Sequence, residues 1–205
     1  MITVVDYGIG NVGSILNMLK RLGIPARLSR GPEDVASAEK LILPGIGAFD
    51  AGMAQLRERG LVDPLERRVR QDRVPVLGIC LGFQLMGRGS EEGRLPGLGW
   101  LDADAVRFDS ARAGVALRVP HMGWNLLRPR NGGGIVAQLP ESPRFYFVHS
   151  YHLRADREED VAGWTTYGYE FAAAMERGHM VGVQFHPEKS HKFGMSILRN
   201  FAERF

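Results

Sequence analysis

Residues 74–84 read Val-Pro-Val-Leu-Gly-Ile-Cys-Leu-Gly-Phe-Gln. The apolar run into Gly78 predicts a buried strand, and residues 81–88 predict a short helix. Cys80 then lies on the sharp turn between them, in the pattern Gly-x-nucleophile-x-Gly. Glycine suits both flanking positions, because larger side chains would collide with the nucleophile or with the neighbouring strand. The stretch favours a nucleophilic thiol, although a lone cysteine is often only a small buried hydrophobe.

A second stretch supplies a partner for that thiol. Residues 180–190 read Met-Val-Gly-Val-Gln-Phe-His-Pro-Glu-Lys-Ser. Apolar residues alternate with others up to His186, which predicts a strand, and Pro187 ends the strand because it lacks an amide donor. A histidine that takes a thiol proton needs an acceptor on its other nitrogen. Glu188 is spaced to provide that acceptor, so the two stretches together predict a Cys–His–Glu set.

The first half of the chain alternates strand and helix patterns. Strands are predicted at residues 2–5, 26–29, 41–43 and 74–79, with helices at residues 12–22, 52–59 and 64–70. Repeated βα units predict an α/β fold with a doubly wound, mostly parallel sheet. Ligands bind at the carboxyl ends of such strands. Three loops meet there: residues 6–13, residues 44–49 and the turn at Cys80.

The second half adds antiparallel strands. We predict strands at residues 98–108, 115–119, 144–151, 161–166, 170–175 and 180–185. The 109–114 segment is predicted as a polar turn, residues 131–134 as a glycine-rich loop, and residues 177–179 as a hairpin turn. A final helix covers residues 190–205, with Ser190 as its N-cap. Residues 1–205 are expected to form a single domain.

Composition excludes several classes of protein. Hydrophobic residues make up 44% and charged residues 24%, as in ordinary globular proteins. A net charge of +3 with scattered arginines argues against nucleic-acid binding. No apolar stretch is long enough to span a bilayer, so no membrane association is expected. The single cysteine indicates a reducing compartment, and we expect a cytoplasmic location. The cysteine and histidine spacings fit no zinc site, so no metal is expected.

Gly8, Gly10 and Gly13 follow the first predicted strand in a Gly-x-Gly-x-x-Gly pattern. This pattern occurs in dinucleotide-binding folds but also often by chance. Arg30 directly follows the second predicted strand, where an acidic ribose contact is expected, so nicotinamide-cofactor binding is disfavoured.

Three motifs together resemble the class I (triad) glutamine amidotransferases, and the resemblance covers essentially the whole chain. They are Leu-Pro-Gly-Ile-Gly at residues 43–47, Gly-Ile-Cys-Leu-Gly-Phe-Gln at residues 78–84 and Phe-His-Pro-Glu-Lys-Ser at residues 185–190. The motifs Pro-His-Met-Gly-Trp-Asn at 120–125 and Tyr-Phe-Val-His-Ser-Tyr at 146–151 resemble, more narrowly, the glutaminase subunits of imidazole glycerol phosphate synthase. The resemblance implies that family's flavodoxin-like α/β fold.

The resemblance also implies a role for each matching residue. It makes Cys80 the nucleophile, His186 the base and Glu188 the group that orients His186. The oxyanion loop is Gly45, Ile46 and Gly47, together with the amide of Leu81. Many relatives carry glycine in place of Ile46, so the loop amide either already faces the site or rotates on activation. The implied glutamine-binding groups are Gly45, Gly47, Gln84, Ser150 and Tyr151. The implied partner-facing residues are Asn11, Trp124 and Lys189.

The activity implied by the resemblance is hydrolysis of glutamine to glutamate and ammonia, without a cofactor. Ammonia would pass through a channel to a (β/α)8-barrel cyclase subunit in a heterodimer. That subunit makes imidazole glycerol phosphate and AICAR in histidine biosynthesis. A partner is expected on separate grounds as well, because one glutaminase domain would use the whole chain and leave no residues for an ammonia acceptor.

Three alternatives remain open from the residues. The chain could serve another acceptor, in sugar amidation or in vitamin B6 synthesis, although the motifs at 120–125 and 185–190 argue against vitamin B6. It could be a cysteine hydrolase or peptidase with the same strand–turn–helix nucleophile. It could also be a non-catalytic interaction domain, which the intact set of Cys80, His186 and Glu188 disfavours.

Overall fold

A computed structural model describes residues 1–130 and 134–205. Its centre is an eight-stranded sheet with the order β2-β1-β3-β4-β12-β11-β10-β7. The first five strands in this order are parallel and the last three run antiparallel to their neighbours. The predicted doubly wound sheet with added antiparallel strands is therefore confirmed. The strand bounds are β1 Ile2–Val4, β2 Ala26–Leu28, β3 Lys40–Gly45, β4 Val76–Cys80, β7 Arg128–Pro129, β10 Val161–Tyr167, β11 Tyr169–Arg177 and β12 Met180–Val183.

Two antiparallel ladders lie outside the main sheet, one pairing β5 with β9 and the other β6 with β8. Their bounds are β5 Ala103–Arg107, β6 His121–Leu126, β8 Arg144–His149 and β9 Tyr151–Ala155. The ladder of β6 and β8 touches the segment just after β12 through a bridge between Tyr146 and His186. This bridge places the smaller ladder beside the carboxyl end of the parallel sheet.

Helices cover both faces of the sheet. Their bounds are α1 Val12–Arg21, α2 Pro32–Ala36, α3 Phe49–Glu58, α4 Val62–Glu66 with a π turn at Arg67–Gln71, α5 Leu81–Leu85, α6 Ser110–Ala113 and α7 His191–Arg204. Short 3₁₀ turns lie at Gly134–Val136, Glu158–Asp160 and Pro187–Lys189. Among the residues that the structure describes, no helix is both long and apolar enough to cross a membrane.

The core has two apolar layers, one on each face of the sheet. On β4, Val76 joins one layer, while Leu77 and Ile79 join the other. Burial on both faces explains why the parallel strands appear in the sequence as near-continuous apolar runs. Thr3 of β1 is also buried, and its hydroxyl accepts a hydrogen bond from Arg27.

The strand predicted at residues 98–108 is only half right, because β5 begins at Ala103. The preceding apolar residues pack against the core without forming a strand. The amides of Leu98 and Trp100 donate to the carbonyls of Leu85 and Met86 at the end of α5, each at 2.8 Å. An apolar run can therefore be a buried loop when a helix end satisfies its backbone.

Two other predictions in this region are wrong. Residues 115–119 form no strand in the described structure, and Val115 is 58% exposed. The predicted polar turn before them contains the short helix α6, where the Asp109 carboxylate accepts a hydrogen bond from the Ala111 amide. The strand predicted at 144–151 is split at Ser150 into β8 and β9. The glycine-rich loop predicted at 131–134 lies outside the described residues except for Gly134.

The final helix is confirmed, but Ser190 does not cap it with its side chain. Its hydroxyl donates to the carbonyl of His186 at 2.6 Å and accepts from the amide of Tyr146 at 3.0 Å. The hairpin between β11 and β12 is confirmed, with Arg177 opposite Met180. Beyond Val183 the predicted strand gives way to a bend, so His186 lies past the last strand rather than on it.

Candidate active site

Cys80 is the last residue of β4 and immediately precedes α5. Its backbone has a φ of +54°, which L-amino acids rarely adopt. The tight turn depends on Gly82, because a Cβ there would overlap the carbonyl oxygen of Leu43 on β3. The strained turn holds the thiol, which is 6% exposed, at the carboxyl end of the sheet.

His186 is fixed through its backbone. Its amide donates to the carbonyl of Tyr146 at 2.9 Å, and its carbonyl accepts the Ser190 hydroxyl. Because Ser190 also accepts the Tyr146 amide, the segment from His186 to Ser190 is tied at both ends to β8. The imidazole thereby has a defined position beside β4.

The carboxylate of Glu188 lies on the far side of that imidazole. Its Oε1 is 2.8 Å from Nδ1 of His186, and both side chains are 2% exposed. Nε2 of His186 is buried and makes no hydrogen bond within residues 1–130 and 134–205. Burial lowers the pKa of His186, but interactions of the protonated ring with the Cys80 sulfur and the Glu188 carboxylate outweigh burial and raise that pKa to about 10. His186 therefore holds a proton more tightly than a free imidazole does.

The predicted oxyanion loop follows β3. Gly45 lies directly opposite Cys80 in the parallel register of β3 and β4. A Cβ on Gly45 would crowd the Tyr7 hydroxyl and Leu81, so only glycine fits there. Tyr7 donates a hydrogen bond of 2.6 Å to the carbonyl of Pro44. This contact joins the loop after β1 to the end of β3.

A cavity of about 410 Å³ opens over these groups. Eight of the predicted site residues line it: Ile46, Gly47, Cys80, Leu81, Gln84, Ser150, Tyr151 and His186. Gly45 and Glu188 are not on the cavity wall. Gly45 supports it from β3, and Glu188 lies behind His186. The structure thus brings the predicted nucleophile, base, oxyanion loop and glutamine-binding residues to one place.

Gln84 uses its amide nitrogen inside the protein. Nε2 donates to the carbonyl of Tyr151 at 2.9 Å and to Oε1 of Gln184 at 3.1 Å. Its own Oε1 makes no hydrogen bond within the described residues. The carbonyl of Ser150 accepts the amide of Phe108 at 3.2 Å. The Ser150–Tyr151 backbone is therefore held from inside, and Gln84 offers an acceptor to the cavity.

Sequence reasoning missed four residues that contribute to the site. Glu92 lines the cavity, and its Oε2 accepts the Phe49 amide at 2.9 Å. His149 also lines the cavity. Gln184, which is fully buried, donates from Nε2 to the Cys80 sulfur at 3.8 Å. Tyr7 supports the oxyanion loop. Gln184 was detectable as a polar residue within an apolar strand pattern, two positions before His186, whereas no local pattern marks Glu92.

The three residues predicted to face a partner are not part of the cavity wall. Asn11 precedes α1, and Lys189 ends the 3₁₀ turn after His186. Trp124 on β6 is 47% exposed and stacks on His191 at 5.5 Å between ring centroids. Lys189 places its ammonium 5.5 Å from the ring centroid of Tyr146. The described residues contain no group of three or more His, Cys, Asp and Glu side chains arranged to hold a metal ion.

The sequence matches the family model described as glutamine amidotransferase class-I over residues 3–205. The chain belongs to the class-I glutamine amidotransferases. Within them it is similar to proteins called imidazole glycerol phosphate synthase subunit HisH 2, from Pseudomonas aeruginosa and Methanococcus maripaludis. Identity to the first is 53%, with 99% of each chain covered, and to the second 46%, with 100% of each chain covered. This amidotransferase is therefore a member of the HisH family.

Solved structures show the same fold at low sequence identity. A crystal structure described as a glutamine amidotransferase has a TM-score of 0.75 at 22% identity, covering 99% of this chain and 98% of that one. The structure of PurLQS from Thermotoga maritima has a TM-score of 0.73 at 17% identity, covering 98% and 96%. These likenesses show the class-I amidotransferase fold over nearly the whole chain.

Proposed function

We propose that residues 1–205 form a single amidotransferase domain, the glutaminase subunit of an imidazole glycerol phosphate synthase. It hydrolyses glutamine to glutamate and supplies the ammonia to a cyclase subunit. One observation carries the chemistry: Cys80 and His186 lie side by side at one cavity, and Glu188 lies behind His186. The thiol is on the cavity wall, the base faces the thiol, and the carboxylate holds the far side of the base.

The reaction begins when the sulfur of Cys80 attacks the side-chain carbonyl carbon of glutamine. Before this attack the thiol proton passes to Nε2 of His186, and Glu188 steadies the resulting imidazolium through Nδ1. The raised pKa of His186 favours this proton transfer. His186 then returns the proton to the departing nitrogen, so ammonia leaves and a thioester of glutamate remains. His186 next deprotonates water, which attacks the thioester, releases glutamate and restores the thiol.

The negative charge that develops on the carbonyl oxygen needs preorganised donors. The amide of Leu81 at the start of α5 and the loop of Gly45, Ile46 and Gly47 are assigned to this role. Gly45 lies opposite Cys80, and Tyr7 anchors the peptide before it. Loss of one such donor typically costs about 3–4 kcal/mol of transition-state stabilisation, so the orientation of this loop can switch the activity.

Glutamine presents an α-ammonium and an α-carboxylate as well as its amide. We assign Glu92 and the free Oε1 of Gln84 to the ammonium, because both are acceptors at the cavity. Gly47 and the backbone of Ser150 and Tyr151 are assigned to the remaining polar groups. The carbonyls of Ser150 and Tyr151 are already engaged inside the protein, so their contribution to glutamine falls to amide N–H groups.

The partner is assigned as a (β/α)8-barrel cyclase that forms a heterodimer with this chain, in keeping with the relatives' name. An exposed apolar stripe on β6 supports a docking face: Met122, Trp124 and Leu126 are 63%, 47% and 49% exposed. Asn11 and Lys189 are assigned to the same face. The ammonia is used to make imidazole glycerol phosphate and AICAR in histidine biosynthesis. We place the complex in the cytoplasm, where the Cys80 thiol stays reduced.

The test is glutamate release from glutamine by the purified chain, alone and with the cyclase subunit plus its phosphoribosyl ligand. We expect slow release alone, strong stimulation by partner and ligand together, and no release by the Cys80→Ala variant in either condition. Brisk release that ignores both additions would contradict the regulated-subunit assignment and redirect the search to other acceptors. Retained release by Cys80→Ala would contradict the chemistry itself.

A further inference from the structure

A continuous line of hydrogen bonds runs through the protein from β6 to the thiol. It joins six groups in order: Asn125, His121, His149, the carbonyl of Tyr151, Gln84 and Gln184, and it ends at the sulfur of Cys80. The side chains of His121, His149, Gln84 and Gln184 are each at most 6% exposed. Buried polar groups that satisfy one another fix a single geometry, because any break leaves an unpaired group away from water.

The near end of this line is a contact between Gln184 and the Cys80 sulfur. Gln184 donates from Nε2 to the Cys80 sulfur at 3.8 Å, and its Oε1 accepts from Gln84 at 3.1 Å. Because Gln84 occupies the oxygen, the Gln184 amide can present only its nitrogen to the sulfur. A thiolate at this position would therefore meet a neutral N–H donor.

The middle of the line holds the backbone carbonyl of Tyr151, which belongs to the segment assigned to glutamine binding. The Tyr151 carbonyl accepts from Gln84 at 2.9 Å and from Nδ1 of His149 at 2.7 Å. Since a carbonyl can only accept, Nδ1 of His149 carries the proton and Nε2 is an acceptor. Nε2 is 3.1 Å from Nδ1 of His121, which therefore donates.

The far end continues in the same direction. Nδ2 of Asn125 is 3.2 Å from Nε2 of His121 and 2.9 Å from the carbonyl of Thr166. Every donor and acceptor in the line is matched when both histidines are neutral. Burial lowers the pKa of His149 well below its usual value and that of His121 to about 4, which keeps them neutral.

We propose that this line is a positioning device, in which Gln184 holds the Cys80 sulfur and His149, supported by His121 and Asn125, holds the glutamine-binding backbone. The proposal rests on the glutaminase function proposed above. It makes the near end and the middle of the line separable: loss of Gln184 affects the chemical step, whereas loss of His149 affects glutamine binding.

The near end is tested with Gln184→Leu in the full chain, assayed with the cyclase subunit and its ligand. A lost charge-assisted hydrogen bond predicts a fall in kcat of about 10- to 100-fold, with KM nearly unchanged. In the chain alone, iodoacetamide should alkylate Cys80 about three- to tenfold more slowly, since thiolate population and nucleophilicity partly offset each other. Alkylation and kcat at wild-type rates would overturn the role of Gln184. Gln184→Glu keeps the size of the side chain and is the second variant if Gln184→Leu does not fold.

The middle is tested with His149→Leu, which should raise KM for glutamine about tenfold through the released Tyr151 carbonyl. His149→Asn should restore KM, because its amide nitrogen lies where Nδ1 did. The matched control is His152→Leu: His152 is 2% exposed and packs on Phe108 as His149 does, but it bonds to Leu153 and Tyr169 outside the line. Equal effects of His149→Leu and His152→Leu, or no rescue by asparagine, would reduce His149 to a structural residue.

The alkylation assay needs neither glutamine nor a partner. If the wild-type chain releases no glutamate with any cyclase, the proposed function fails. A slower alkylation of Gln184→Leu would still support the near end of the line, and an unchanged rate would still overturn it.

Discussion

The hydroxyl of Tyr7 donates a hydrogen bond of 2.6 Å to the carbonyl of Pro44. Tyr7 belongs to the loop that leads to Asn11, and Pro44 is the β3 residue directly before the segment 45–47 that is assigned to oxyanion stabilisation. Tyr7 is fully buried, and burial raises the pKa of its hydroxyl far above the usual value, so it is a permanent donor. A loop assigned to the partner face is thereby anchored to a loop assigned to catalysis.

Tyr7→Phe should release the Pro44 peptide. We expect stability to fall by about 1–2 kcal/mol, because a buried carbonyl loses its donor, and kcat for glutamine to fall with it. Tyr167→Phe is the matched control, since the Tyr167 hydroxyl donates a bond of the same 2.6 Å length to the carbonyl of Arg118. Thermal unfolding and stimulated glutamate release should both respond to Tyr7→Phe, but only unfolding to Tyr167→Phe. An equal fall of kcat in both variants would contradict a specific role of the Tyr7 hydrogen bond in catalysis.

Gly82→Ala should damage the turn that carries the nucleophile. The new Cβ would overlap the Leu43 carbonyl on the neighbouring strand, and neither backbone can move freely within the sheet. We expect a loss of stability of about 3 kcal/mol or more, measured by denaturant unfolding. Gly89→Ala is the control, because a Cβ there meets no atom within 4 Å. A Gly82→Ala variant as stable as Gly89→Ala would contradict this account of the turn.

Glu188→Gln should shift the pH dependence of catalysis. In the native protein the pKa of His186 is raised to about 10, so the imidazolium persists at neutral pH and is lost only as pH rises through that value. Removing the carboxylate removes one of the groups that raise this pKa, so the alkaline limb of kcat/KM should move to lower pH. The rate should also fall about 10³-fold or more, because the imidazole loses its orienting partner. Glu203→Gln, on the surface of α7, should leave the profile unchanged. An unmoved alkaline limb in Glu188→Gln would show that another group sets it.

Acid should unfold the protein through its buried histidines. Burial lowers the pKa of His152 from 6.5 to about 4, so this group binds a proton only after unfolding in that interval. Stability is present above pH 6.5 and declines as pH falls, by about 1.4 kcal/mol per pH unit for each such group. His152→Gln should reduce the slope of unfolding free energy against pH by about that amount. An identical slope in wild type and His152→Gln would mean that His152 is protonated in the folded state.

The parallel half of the fold was predictable because its signals are local. The apolar runs at β1, β3 and β4, the helical spacing of α1 and the turn at Cys80 each lie within a few residues. Strands that are buried on both faces have no polar face, so no polar residues interrupt their apolar runs in the sequence. The hairpin between β11 and β12 was equally clear, because residues 177–179 form a tight turn between two alternating segments.

The errors arose where tertiary contacts decide. Leu98 and Trp100 are as apolar as a strand, but their amides are satisfied by the end of α5, which no local pattern reveals. Val115 lies in an alternating segment that finds no strand partner in the described part of the chain. Ser190 has the right residue type for a cap, yet its hydroxyl is taken by His186 and Tyr146.

The residues of the candidate site also divide into those marked by a local motif and those placed only by tertiary contacts. Cys80, His186 and Glu188 were predictable because each lies in a short motif with its own chemistry. Glu92 and His149 were not, because they reach the cavity from a loop and from a strand edge that only the folded chain brings there. Gln84 was expected to hold glutamine, and the structure adds that its amide nitrogen is committed to Tyr151 and Gln184.

The position of β12 in the sheet has a consequence for how the enzyme comes into being. β12 lies between β4 and β11, yet it follows every other described strand of this sheet in chain order. Cys80 on β4, the assigned nucleophile, is therefore synthesised about a hundred residues before His186, the assigned base. A nascent or truncated chain carries the thiol without its base, because β12 must first insert beside β4. The residue assigned as the base therefore meets the assigned nucleophile only after β12 has paired with β4.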